Sequence, residues 1–253
     1  MTSGNSFKPT TWLAYLETLP WRPLDVLYFA AGWLSAQYIL VQLIMWAGTW
    51  WSPAARLVRE AAAGQAAATF VFAALQALVG LAALIWLLRR YHLGWRSLGW
   101  RPVSVWQTIR TVAAVLVGFI VMASSVIWLV SQLVPGFDAN QEQINQFAGA
   151  STPADWILAT LAMVVLPPIL EESIFRGFAF TALAKRWGSV GGAVLSSALF
   201  ALAHGQANVG VYTFVLGLLL CWLYRKFGSI VPGVLVHMSN NALAFWAMSH
   251  LGN

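Results

Sequence analysis

Charged residues are nearly missing from this sequence. They make up 9% of its 253 residues, where a soluble chain carries about 25%. Cysteine is represented once, by Cys221. That excludes an intramolecular disulfide and any zinc site built from several cysteines. No internal repeat, heptad pattern or low-complexity tract interrupts the chain. A formal charge of +6 would suggest nucleic acid in a soluble protein. Here the basic residues sit in short loops between apolar runs, so no nucleic-acid partner is expected.

What is abundant is apolar. Hydrophobic residues reach 60% and mean hydropathy is +0.71, which puts the chain in the membrane class. A helix needs about 20 apolar residues to cross the hydrocarbon. The runs Val26–Trp51, Ala66–Leu88, Thr108–Val134, Ala154–Leu170, Ser189–His204, Val209–Tyr224 and Ile230–Leu251 predict an all-α polytopic bundle of about seven transmembrane helices. A charged helix is expected to continue the fourth run to Trp187. The first run starts late and lacks a small-residue cleavage site, so it reads as a retained helix. Basic residues cluster at Arg89–Arg110, at Lys185–Arg186 and at Arg225–Lys226. Placing these clusters inside puts the N-terminus, with Lys8 and Arg22, in the cytoplasm as well. Arg56, Arg59 and an acidic loop with Asp138, Glu142 and Asp155 are then outside. Trp50, Trp51, Trp95, Trp100, Trp106 and Trp187 fall near run ends, as interfacial belts do.

Ionisable side chains within apolar helices are costly and usually functional. They gather after Leu166. In LPPILEESIFR, Pro167 and Pro168 lack backbone donors and disturb the helix, and the carbonyls they free need protein or a wet cavity. Glu172 and Arg176 are four residues apart, acid first, and are expected to pair. Glu171 points about 100° away and stays available. FALAH (Phe200–His204) brings an imidazole on a helix rich in small residues, which lets helices approach closely. HMSNN (His237–Asn241) puts an imidazole and a carboxamide on one face. Taken singly, each has a structural reading: charges snorkelling at the interface, or polar groups tying helices together. Together, a carboxylate and two imidazoles in a wet pocket could activate a water, with burial raising the glutamate's pKa toward a useful range. A histidine or Asn241 would then hold the oxyanion.

The three motifs resemble, in order, those of the CPBP intramembrane proteases: Glu-Glu-x-x-x-Arg, Phe-x-x-x-His and His-x-x-x-Asn/Asp. That family includes CAAX prenyl endopeptidases and bacterial Abi-type proteins. The resemblance covers roughly Ala154–Leu251. It implies an integral membrane endopeptidase acting on a membrane-associated peptide or protein that can carry a lipid; the short loops point to a bacterial inner or plasma membrane. By that resemblance Glu171 activates the water and Glu172 with Arg176 supports it. His204, His237 and Asn241 complete the catalytic set. Residues 1–150 would form three N-terminal spans with a basic cytoplasmic loop, and 151–253 the catalytic core. Two histidines and a glutamate also match the ligand set of a catalytic zinc. No His-Glu-x-x-His motif occurs, so no metal or other cofactor is expected. A non-proteolytic scaffold or immunity protein using the same residues as a structural network is the alternative. A proton-relaying transporter is less favoured because paired halves are lacking. Rhomboid-type serine chemistry is disfavoured by the absence of Gly-x-Ser-Gly.

Overall fold

A computed structural model describes residues 12–137 and 152–251, in which every regular element is helical. Lys8 and the loop acids Asp138 and Glu142 lie outside the described residues. A short helix α1 (Trp12–Glu17) leads into α2 (Pro23–Trp50), α3 (Ser52–Ala62), α4 (Ala66–Arg90) and α5 (Val105–Leu133). A 3₁₀ turn, Trp95–Leu98, lies between α4 and α5. A composite helix follows. It is built of α6 (Pro153–Thr160), a π-helical stretch Leu161–Val165, α7 (Leu166–Glu171), a second π-helical stretch Glu172–Phe180, and α8 (Thr181–Ala203). Helices α9 (Ala207–Phe227) and α10 (Val231–Leu251) end the described chain.

Among the described residues, five helices are long and apolar enough to cross a membrane. The integral all-α bundle expected from the runs is therefore present, but a count of seven is not established. The fourth run and nearly all of the fifth fall in one segment, Pro153–Ala203, that is counted once although it bends at Gly188. The fifth run is a return arm. Gly188 breaks α8 with φ 70° and ψ 172°, a conformation open to glycine at little cost. The chain then folds back on itself. Ser196 Oγ donates to the Phe175 carbonyl at 2.7 Å, and a Cβ on Gly192 would lie 2.6 Å from the Ala184 nitrogen.

Small residues set the next layer. A Cβ on Gly217 would approach Ser197 Oγ to 2.7 Å, so α9 lies directly against the return arm, as small-residue packing in membranes requires. Helices α2 and α5 are peripheral and turn Leu34, Ile39, Leu43, Val117, Val121 and Trp128 outward. In a bilayer these residues meet lipid, which costs nothing.

The basic end of the bundle is tied together by hydrogen bonds. Lys185 Nζ donates to the Leu19 carbonyl. Trp21 Nε1 donates to Thr181 Oγ1 at 2.9 Å. Ile230 N donates to the Gly99 carbonyl at 3.0 Å. Tyr15, in α1, is pushed above its usual pKa chiefly by burial, so it stays a neutral donor to the Ser97 carbonyl at 2.9 Å. Its single proton is thereby used, and Tyr224 donates to it in turn at 2.9 Å. Trp100 was expected at an interface. Its Nε1 donates to Ser173 Oγ at 3.0 Å, because the loop after α4 folds onto the second π-helical stretch.

Candidate active site

The site forms where α10 lies along the Met163–Glu172 segment. A stripe of residues at spacing four does this: Gly233, His237 and Asn241 share one face of α10. Gly233 has no side chain, so the α10 backbone can approach the carboxylate of Glu172; a Cβ there would be 3.2 Å from Oε2. One turn on, His237 Nδ1 lies 3.2 Å from Glu172 Oε1. Its other nitrogen, Nε2, lies 3.7 Å from Glu171 Oε2. One further turn on, Asn241 Nδ2 donates to the Met163 carbonyl at 3.0 Å.

Glu172 and Arg176 pair at 2.8 Å, both side chains about 1% exposed. Glu172 does more than brace the arginine. With one oxygen it also accepts from His237, so Nδ1 carries the imidazole proton and Nε2 is turned toward Glu171. The second π-helical stretch begins at Glu172, and such stretches are frequent at functional sites. Its carbonyls are supported from the side: Ser196 bonds Phe175, and Thr181 bonds Gly177 at 2.8 Å. Glu171, just before the stretch, keeps a side chain 23% exposed against 1% for Glu172. That difference makes Glu171 the carboxylate that can reach a water.

His204 takes a separate position. Its Nδ1 bonds the Phe200 carbonyl at 2.8 Å, which, with a carbonyl as partner, fixes Nδ1–H and leaves Nε2 free. The Phe200 ring stands between the imidazoles, its centroid 4.8 Å from His204 and 5.7 Å from His237, nearly perpendicular to both. The Arg176 guanidinium lies over the same ring at 4.2 Å, a cation–π contact. Phe200 thus spaces the two imidazoles and helps hold the arginine. Four buried atoms around this cluster have no hydrogen-bond partner: Glu172 Oε2, Arg176 Nε, Arg176 Nη2 and Ser197 Oγ. No group of three His, Cys, Asp or Glu among the described residues is arranged to hold a metal ion.

Of the two outcomes open to a carbonyl freed by the prolines, protein or a wet cavity, the structure shows protein at Met163. In an α-helix the Met163 carbonyl would accept from residue 167, and in a π-helix from residue 168. Both are proline and neither has an N–H. The orphaned carbonyl is met by Asn241 instead. Sequence reading also passed over Asn240 and Tyr212. Tyr212 Oη, on α9, donates to Asn240 Oδ1, and Asn240 Nδ2 donates to Asn241 Oδ1 at 3.3 Å. Asn240 lies within HMSNN and could have been noticed; nothing local marks Tyr212.

Comparison with known proteins adds to this geometry. Residues 153–243 match the family model described as type II CAAX prenyl endopeptidase Rce1-like, a span that contains all three motifs. The chain is 28% identical over 216 residues to an uncharacterized 24.3 kDa protein of Escherichia coli, covering 82% of this chain and 94% of that protein. It is 25% identical over 132 residues to the UPF0177 protein YbdI of Lactococcus lactis subsp. lactis, covering 51% of this chain and 70% of that protein. No solved structure matches.

Proposed function

We propose, on the premise that this chain is a CPBP-family membrane protein of the type II CAAX prenyl endopeptidase kind over residues 153–243, that it cleaves peptides by a glutamate-activated water. The family makes it a membrane protease; the assignment of steps to residues is the proposal. The observation that carries it is the pairing of an accessible carboxylate with an oriented imidazole. Glu171 Oε2 faces His237 Nε2 across 3.7 Å, and Glu172, held by Arg176, fixes the far side of that imidazole.

A water between Glu171 and His237 gives a proton to Glu171 as its oxygen bonds the scissile carbonyl carbon. The carbonyl oxygen becomes an oxyanion, held by the Asn241 N–H not used by Met163. The intermediate collapses, the C–N bond breaks, and the proton passes from Glu171 to the departing amine. No step is assigned to His204, whose Nε2 is left free by the Phe200 bond. The step needs no metal. Residues 151–253 are assigned the catalytic core, and residues 1–150 the N-terminal spans with the basic cytoplasmic loop. An apolar groove lined by Phe29, Trp33, Phe175, Phe178, Leu199 and Leu202 reaches Ala203, the residue before His204, and gives a hydrophobic substrate segment, including a prenyl chain, an approach from the bilayer. The N-terminus is cytoplasmic, in a bacterial inner or plasma membrane.

The test compares membrane-peptide termini in cells carrying wild type or Glu171→Gln at matched protein levels. A set of termini that vanishes in the variant is expected, with a rate loss of about 10²–10⁴-fold in vitro. The same cleavage should persist in vesicles treated with a chelator. A second reading has its own support, since His237 and Asn241 are already bonded across helices and Arg176 is already paired with Glu172 one turn away. Identical termini under conditions where the protein has a phenotype would overturn the protease reading in favour of a scaffold or immunity role.

A further inference from the structure

A row of hydrogen bonds reaches Asn241 from Tyr212, which lies outside the motifs, and all of them run in one sense. Tyr212 Oη donates to Asn240 Oδ1. Asn240 Nδ2 donates to Asn241 Oδ1 at 3.3 Å, and Asn241 Nδ2 donates to the Met163 carbonyl at 3.0 Å. The direction is set from the far end. The Met163 carbonyl can only accept, so Asn241 must present its nitrogen there and its oxygen to Asn240. Asn240 must then present its nitrogen to Asn241 and its oxygen to Tyr212, which must donate. The anchor is itself sequence-encoded, because Pro167 and Pro168 remove both N–H groups that could have claimed that carbonyl. The row joins α9, α10 and the first π-helical stretch at one point.

We propose that Tyr212 and Asn240 are positioning residues that hold the Asn241 carboxamide in one orientation, with its second N–H presented to the reacting carbonyl. The proposal rests on the role given to Asn241 under the proteolytic reading. With Oδ1 and one N–H committed, the carboxamide cannot turn over, and only the other N–H remains to donate. Successive donors in one sense polarise one another, which strengthens that last N–H toward a developing negative charge. Asn240 is 6% exposed, so water competes little for its partners.

The test uses full-length protein in proteoliposomes and an internally quenched peptide farnesylated on a cysteine four residues from its carboxy terminus. Tyr212→Phe keeps the ring, which packs edge-on against Phe119 at 5.0 Å, and removes only the donor. It should lower kcat about tenfold with KM unchanged, the size expected for one neutral hydrogen bond. Asn240→Asp puts an acceptor where a donor is needed, turns the Asn241 amide away from Met163, and should lower kcat about a hundredfold. Melting curves report whether each variant is folded; if Asn240→Asp does not fold, Tyr212→Phe carries the test alone. The second readout needs no turnover. In protein labelled with ¹⁵N-asparagine, the Asn241 side-chain amide signals, assigned by their loss in Asn241→Gln, should shift in Tyr212→Phe. An unchanged kcat in Tyr212→Phe, where Glu171→Gln is inactive, would overturn the positioning role. If wild type leaves the peptide uncut, the fault lies with the proteolytic reading for this substrate. The amide signals then decide: a shift supports the positioning of Asn241, and unmoved signals refute it.

Discussion

Glu172 has three obligations at once: it pairs with Arg176, accepts from His237, and lies against the backbone at Gly233. A buried carboxylate is tolerable only when compensated in this way. Removing the arginine alone leaves its charge stranded. Arg176→Met should therefore destabilise the protein by about 3–5 kcal/mol. The double variant Glu172→Gln/Arg176→Met should lose much less, because no uncompensated charge remains. Thermal unfolding of purified protein in detergent checks both. Equal losses in the single and double variants would mean that the pair does not govern stability here. The helix-face argument foresaw this pair from spacing alone. It did not foresee His237 as its third member, since that contact joins residues 65 positions apart.

At the level of elements, close approaches decide where the site residues stand. Gly177 lies in the second π-helical stretch, and a Cβ on it would come 2.4 Å from the Leu98 carbonyl oxygen. That atom is backbone and cannot yield. Gly177→Ala should push the Trp95–Leu98 turn off the stretch, strain the Trp100–Ser173 bond, and cost about 1–3 kcal/mol. Gly118, in α5, has nothing within 4 Å of its added Cβ. Gly118→Ala should be neutral or stabilise by up to about 1 kcal/mol through helix propensity. Melting temperatures of the two variants in one detergent test the contrast, and a loss in Gly118→Ala would contradict the lipid-facing placement of α5. The small residues of the return arm were visible in the sequence as a packing surface. The fold-back at Gly188, which makes that surface meet its own preceding helix, was not.

Across the whole molecule, segments distant in sequence bring their basic residues to one end. Lys185 bonds the chain just before Arg22, Trp21 packs on Tyr91 beside Arg90, and Arg101 donates to the Gly228 carbonyl after Lys226. This gathering matches the charge bias from which the proposed orientation was argued. A cysteine scan on a Cys221→Ala background tests it. Ser104→Cys, at the basic end, should react with a membrane-impermeant maleimide only after lysis. Gln65→Cys, exposed before α4, should react in intact spheroplasts. The reverse pattern would invert the topology.

The sequence by itself determined the solvent, the helical class and the chemical inventory. Apolar runs of membrane length leave the backbone no choice but helix, and the three polar motifs stand out because ionisable groups are so rare among them. Spacing within one helix was enough to pair Glu172 with Arg176, since neighbours at i and i+4 meet whatever surrounds them. Only the tertiary structure decided what lies across from each motif. It put His237 between two glutamates, gave the carbonyl freed by Pro167 and Pro168 to Asn241, and brought Tyr212 to Asn240. Those contacts depend on the rotation and register of α9 and α10 against the composite helix. In a bilayer that is settled by shape and by polar satisfaction among helices with little apolar contrast between their faces, so no local pattern announces it.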